Sequence, residues 1–223
     1  LIGIIIVLVV ILIMGCARSR EYFAVKVCSD IDNRCYNVSG AYDDGHQLAA
    51  DSLARLNGDM LNVIRYMRDT YIWDPAAANS QSPYFRLRRI LTKHMLERYN
   101  ADVLVENVPR SLKETSYTQN KGTKMALCLR EKQTGSHKFE EYNRLLFVSL
   151  HELAHVSTNI LEHKDPYWHI FRVILHEAEK AGVYKPHNYE TDPINVCGLP
   201  VAYNPYFDLS LDENYLYDKL EQV

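Results

Sequence analysis

The chain has 223 residues, 47% of them hydrophobic, and a formal net charge of −3. That length fits one domain with appendages and is enough to bury a core. The small net charge excludes a global electrostatic pull toward nucleic acid or an acidic membrane surface, and no nucleic-acid partner is expected.

Residues 1–15, from Leu1 to Gly15, hold no charged or polar side chain. With Cys16, Ala17 and residues expected upstream of Leu1, they approach the roughly 20 apolar residues of a spanning helix. The expectation is a transmembrane anchor over 1–17, with a cleaved signal peptide as the rival reading. Arg18 and Arg20 follow at once. By the positive-inside tendency the protein is expected to be single-pass, with its domain on the cytoplasmic or equivalent side.

Residues 22–38 predict a β-hairpin: Tyr22 to Val27 alternates, Ser29 to Asn33 is turn-like, and Arg34 to Val38 returns. Cys28 and Cys35 flank that turn and are two of five cysteines. On a reducing side, mainly free thiols are expected. Asp44 to Tyr71 predicts a long helix, with Leu53, Leu56, Met60, Ile64 and Met67 at three- and four-residue spacing. Tyr84 to Tyr99 predicts a second helix carrying Arg86, Arg88, Arg89 and Lys93. Without aromatic interleaving, these charges read as a solvated face with packed stems rather than a phosphate contact. Asp102 to Glu106 and Lys124 to Arg130 predict strands.

Residues 138–158 predict one long helix free of Gly and Pro, with a broad apolar surface from Leu145 to Val156. It contains His151-Glu152-Leu153-Ala154-His155, an H-E-x-x-H. Positions i and i+4 lie on one helix face, so His151 and His155 can present two imidazole nitrogens to one ion. Glu152 is one position round the helix and is placed to accept a proton rather than to ligate. With nine His in the chain, chance placement gives roughly 0.02 such motifs. A catalytic zinc wants a third protein ligand and an open position. His163, His169 and Glu177 compete for that role. Asp165-Pro166 predicts the start of the next helix, with Asp165 as N-cap, and Gly182 its end. Residues 185–223, rich in Pro and Tyr, predict an extended C-terminal arm that straps a partner or the domain's own surface, with a short helix from Asp212.

H-E-L-A-H followed by His163 with Trp168 five residues on resembles the WLM, SprT-like and YgjP-like zinc metallopeptidases. Arg98 to Asp102, Thr115 to Gly122 and Leu127 to Arg130 resemble WLM-like predicted metallopeptidases encoded by large DNA viruses, and the resemblance covers about residues 45 to 200. The seven residues between His155 and His163 make a longer spacing than in YgjP-like proteins, and there is no metzincin glycine. The resemblance implies an α+β, mainly helical mini-zincin domain over residues 18–184 with a small antiparallel sheet. It favours His163 as third ligand to Zn²⁺, beside His151 and His155. It makes Glu152 the general base of peptide hydrolysis and residues 124–130 the strand along the substrate cleft. Beside a peptide or protein substrate, it suggests capsid proteins and a virion inner membrane as partners. A structural reading, a minor capsid component tying a membrane to a protein shell through residues 1–17, stands as the alternative to an enzyme.

Overall fold

The computed structural model describes residues 24–41, 44–107, 115–131, 138–160, 162–220 and 223. The alternating hairpin forms as expected. Strand β1 (Ala24–Cys28) pairs antiparallel with β2 (Cys35–Ser39), and Asn33 makes the turn with φ 58°. Helix α1 (His46–Arg68) follows Gly45, whose φ of 72° is left-handed. A Cβ on Gly45 would stand 3.1 Å from the Arg130 guanidinium, which also bonds the Gly45 carbonyl. Leu53, Leu56, Met60, Val63 and Met67 recur every three or four residues along α1 and are fully buried. The helix runs into a π-turn, Asp69–Trp73, which ends two residues past the expected Tyr71.

The short α2 (Pro75–Asn79) is capped by the Asp74 carboxylate, and α3 (Pro83–Arg98) crosses α1 and packs on the helix that bears the H-E-x-x-H. Two of its basic residues, Arg88 and Arg89, serve the interior, while Arg86 and Lys93 are exposed as expected. Arg88 is buried in ion pairs, and Arg89 donates to the carbonyls of Ala77 and Ser80.

Strands β3 (Leu104–Glu106), β4 (Tyr117–Gln119) and β5 (Lys124–Leu127) complete a sheet of order β1-β2-β3-β5-β4. The β2–β3 and β3–β5 pairs are parallel, so the sheet is mixed rather than antiparallel. It also corrects the strand role: residues 124–130 are not the cleft-side edge. β5 is held on both sides, and the edge is β4. A short strand followed by a tight turn is hard to see in Tyr117-Thr118-Gln119, where only three residues pair.

Helices α4 (Tyr142–Ser157) and α5 (Asp165–Lys180) pack on α1 and α3 around Leu150, Leu153, Ile170 and Ile174. The Glu141 carboxylate caps α4. At α5 the expected cap shifts by one: Lys164 takes the N-cap position and Asp165 the first helical one. Gly182 ends α5 with φ 71°. The C-terminal arm lies on the domain's own surface. It contributes a hairpin, β6 (Ile194–Val196) and β7 (Leu199–Val201), and the one-turn α6 (Asn214–Tyr217). The Tyr215 ring stacks on His169 at 4.4 Å, and Leu216 is fully buried.

Two expectations are corrected. Four of the five cysteines pair, as Cys28–Cys35 and Cys128–Cys197, in place of free thiols. The hairpin register sets Cys28 directly opposite Cys35, and the fold brings Cys128 beside a residue 69 positions away. The second correction concerns the membrane. Among the described residues no helix is long and apolar enough to cross a bilayer. The longest, α1, is amphipathic and carries Asp51, Arg55, Asp59, Arg65 and Arg68. The segment expected to span, residues 1–17, lies outside the described residues. The architecture is therefore α+β, with six α-helices and two sheets among the described residues, none of whose helices supplies the single-pass span that was expected.

Candidate metal centre

One face of α4 presents His151 and His155, as their spacing requires. The chain leaves α4 at Thr158, turns, and brings His163 back over that face. The His163 Nε2 lies 2.9 Å from Nε2 of His151 and 3.0 Å from Nε2 of His155. Three nitrogens around a tetrahedral ion with Zn–N near 2.0–2.1 Å stand about 3.3 Å apart, so a small adjustment converts this cluster into a ligand set. Burial holds the His151 imidazole far below its ordinary pKa, helped by His155 and His163. It holds His155 at about 4 and His163 lower than usual. All three are neutral at neutral pH, which is the form that ligates.

The surroundings fix the three histidines. The Tyr167 hydroxyl donates to the His151 carbonyl at 2.9 Å, and its ring stacks on His155 at 4.2 Å. The Trp168 indole N–H donates to the His163 carbonyl at 3.1 Å, which pins the returning loop. Tyr167 is thus a brace for the ligand helix, with its hydroxyl already engaged.

Glu152 points from the same helix into the cleft wall and is 3% exposed. Burial raises its carboxyl to a pKa of about 7; the Thr118 backbone amide and hydroxyl pull the other way, the hydroxyl lying against Glu152 and donating to its main-chain carbonyl at 3.4 Å. Its Oε2 is buried without a hydrogen-bond partner. A buried carboxylate oxygen left open beside three neutral imidazoles is unfavourable in isolation and suited to a cation or a water.

The other ligand candidates are elsewhere. His169 is bonded through Nδ1 to the Asp212 carbonyl at 2.7 Å. Glu177 accepts from Arg88 Nε at 2.8 Å, from the Tyr71 hydroxyl at 2.7 Å and from Lys180 Nζ at 2.9 Å. Both are committed to the interior, whereas His151, His155 and His163 are brought together.

The three histidines and Glu152 lie in a cleft of about 520 Å³. Residues Thr115 to Thr118 form one wall, ending in the β4 edge. Phe147 and Val148 of α4 form the floor, and Val196 and Leu199 to Tyr203 form the opposite wall. Sequence reasoning missed that opposite wall and the role of Thr118. Thr118 sits inside the stretch 115–122 that carries the resemblance, so its signal was present without a role attached. The hairpin left only Cys197-Gly198, a turn pair with φ 51° and 78°.

No family model matches the chain, and no solved structure matches it. An uncharacterized protein of Acanthamoeba polyphaga mimivirus is 30% identical over 197 residues, which is 86% of this chain and 90% of that protein. Uncharacterized proteins of invertebrate iridescent viruses 6 and 3 are 35% and 38% identical over shorter stretches, 44% and 33% of this chain, and those stretches make up 50% and 44% of the viral proteins. At that identity and coverage, the chain belongs to the same family as the mimivirus protein.

Proposed function

We propose that the chain is a zinc metallopeptidase of the WLM and SprT-like kind, with His151, His155 and His163 as ligands and Glu152 as general base. The observation that carries the reading is the open, buried Oε2 of Glu152 beside three converging Nε2 atoms at the foot of a cleft. A purely structural zinc site does not need that carboxylate and usually uses more Cys.

Zinc, when bound, supplies Lewis-acid polarisation of the scissile carbonyl and of water. The protein's own residues do the rest. The edge of β4 offers backbone groups to an extended peptide and holds it above α4. Glu152 takes a proton from the attacking water on its open Oε2 and returns it to the leaving amine. A carboxyl near pKa 7 is matched to that exchange; a dication beside it draws the value down and keeps it ionised. The apolar floor limits competing solvent.

Metal content and peptide cleavage, measured on the same preparation, test this. Wild type is expected to hold one zinc per chain, and His151→Ala, His155→Ala and His163→Ala to lose it. Glu152→Gln is expected to keep its zinc and lose at least about a hundredfold in hydrolysis. Near-stoichiometric zinc in His163→Ala would remove that ligand, and loss of zinc in Glu152→Gln would make the carboxylate a ligand and end the general-base assignment.

A further inference from the structure

We propose that the β6–β7 hairpin of the C-terminal arm is the specificity wall of this cleft, and that it selects extended peptides carrying one bulky apolar side chain. The inference takes the cleft to be the substrate site proposed above.

The hairpin stands apart from the main core. Val196 and Cys197 are buried with Cys128 in a small cluster of their own, with Val148, Ile194 and Val201 packed against it. Val148 belongs to α4, three residues before His151, so this cluster abuts the ligand helix. Two devices fasten it there. One is the Cys128–Cys197 disulfide. The other is the Glu140 carboxylate, which accepts from the Cys197 amide at 2.6 Å. Cys128 is itself tied to the facing wall, since its amide donates to the Ser116 hydroxyl at 3.0 Å. Both walls are therefore referenced to one cysteine, and the width between them is fixed by covalent and hydrogen bonds rather than by a large apolar contact.

The chemistry of the enclosed space is one-sided. Between β4 and the hairpin the cleft is faced by Phe147, Val148, Phe171, Val196 and Val201. Among the described lining residues the charged side chains are Glu152 and Lys121, and Lys121 already donates to the Asn159 carbonyl at 2.9 Å. An acidic substrate side chain would enter without a free cation to meet it and a basic one would find only Glu152 at the foot of the cleft, whereas an apolar one exchanges water for hydrocarbon. The hairpin acts through its side chains. The middle residue of β7 is Pro200, which has no N–H to give a peptide, so strand pairing falls to β4 on the other side.

The test is peptide binding, read by fluorescence anisotropy with Glu152→Gln so that peptides stay intact. The probes are labelled Ser/Gly decapeptides differing at one central position: Leu, Phe, Ala or Asp. The Leu and Phe peptides are expected to bind about tenfold or more tighter than Ala and Asp. Adding Val201→Asp should abolish that preference. Should that variant not fold, Val201→Ala, which widens the chamber, should shift the preference from Leu toward Phe. Equal binding of all four peptides, no measurable binding of any, or an unchanged preference in a folded Val201 variant would overturn the wall. An apolar preference in a protein whose wild type neither holds zinc nor cleaves would instead sink the hydrolytic reading and leave the wall standing.

Discussion

Two neighbouring helices each bury a glutamate, and the fold treats them oppositely. On α5, Glu177 is fully buried and answered by Arg88, Tyr71 and Lys180, with Glu213 from the C-terminal arm gripping the other end of Arg88 at 2.8 and 2.9 Å. On α4, Glu152 is nearly as buried, has only Thr118 to favour its ionised form, and keeps one oxygen open. Burying a carboxylate is unfavourable unless hydrogen bonds and opposite charge offset it. One region meets that requirement with its own cations and becomes a rivet between α3, α5 and the arm. The other leaves it unmet beside three neutral imidazoles, which is the arrangement of a place where something else binds.

Breaking the satisfied side should have the largest effect. Glu177→Ala leaves the Arg88 guanidinium buried with one of its two carboxylate partners gone, and loss of one member of such a pair costs about 3–5 kcal/mol. Denaturant unfolding measures it. A change below about 1 kcal/mol would show that the cluster contributes little and that the contrast with Glu152 is one of geometry alone.

The unsatisfied side should reveal itself through pH. In metal-free protein, kept so with a chelator, the folded Glu152 carboxyl holds its proton to about pH 7, while an unfolded one releases it near 4.5. The folded state binds the extra proton between those values, so stability falls as pH rises through them. That interval corresponds to about 3 kcal/mol, missing in full above pH 7. His151, His155 and His163, held neutral by burial, act with the opposite sign and lose stability as pH falls. The difference between wild type and Glu152→Gln therefore isolates the carboxyl: the variant should be the more stable of the two near pH 8 and lose that advantage by pH 4. Parallel curves would show that Glu152 is not strained in the free protein.

Zinc should stabilise the folded protein through the three histidines, with or without Glu152. A ligand that binds only the folded state at a hundred times its Kd stabilises by about 2.7 kcal/mol. Wild type should gain this on thermal unfolding, Glu152→Gln should gain it too, and His163→Ala should not.

The contrast also explains what could be read from the chain. His151, Glu152 and His155 are legible because a helix converts spacing into geometry, whereas His163 competed with His169 and Glu177 until the resemblance favoured it. The role of Glu177 was not legible: its partners lie 89 and 106 positions away, at Arg88 and Tyr71, and no local period encodes them. The same holds for the Cys128–Cys197 link, and for β4, whose three residues are an edge only because β5 lies between them and β3. The hairpin of β1 and β2 and the four long helices followed from alternation and three-to-four spacing. The misplaced cleft strand came from assigning a sheet position to a segment whose neighbours the sequence does not show.

The smallest effect is the one that tests how the open carboxyl is held. Thr118 supplies a hydroxyl and an amide that pull the Glu152 pKa down against the effect of burial. Thr118→Val keeps the shape and the amide and removes the hydroxyl. A lost hydrogen bond to a group of this kind is worth about 1 kcal/mol, so the Glu152 pKa should rise by somewhat less than one unit. Thr118 touches Glu152 rather than the three histidines, so zinc content should not change. If hydrolysis depends on ionised Glu152, the acidic limb of the pH profile of kcat/KM should move upward by that amount, and the rate at a pH on that limb should drop several-fold. Thr118→Ser, which restores a hydroxyl, should move the limb back. A merely structural role for Thr118 would lower the rate at every pH without moving the limb, and Ser would restore it no better than Val. An unmoved limb would therefore detach Thr118 from the carboxyl, leaving β4 as the edge of the cleft and nothing more.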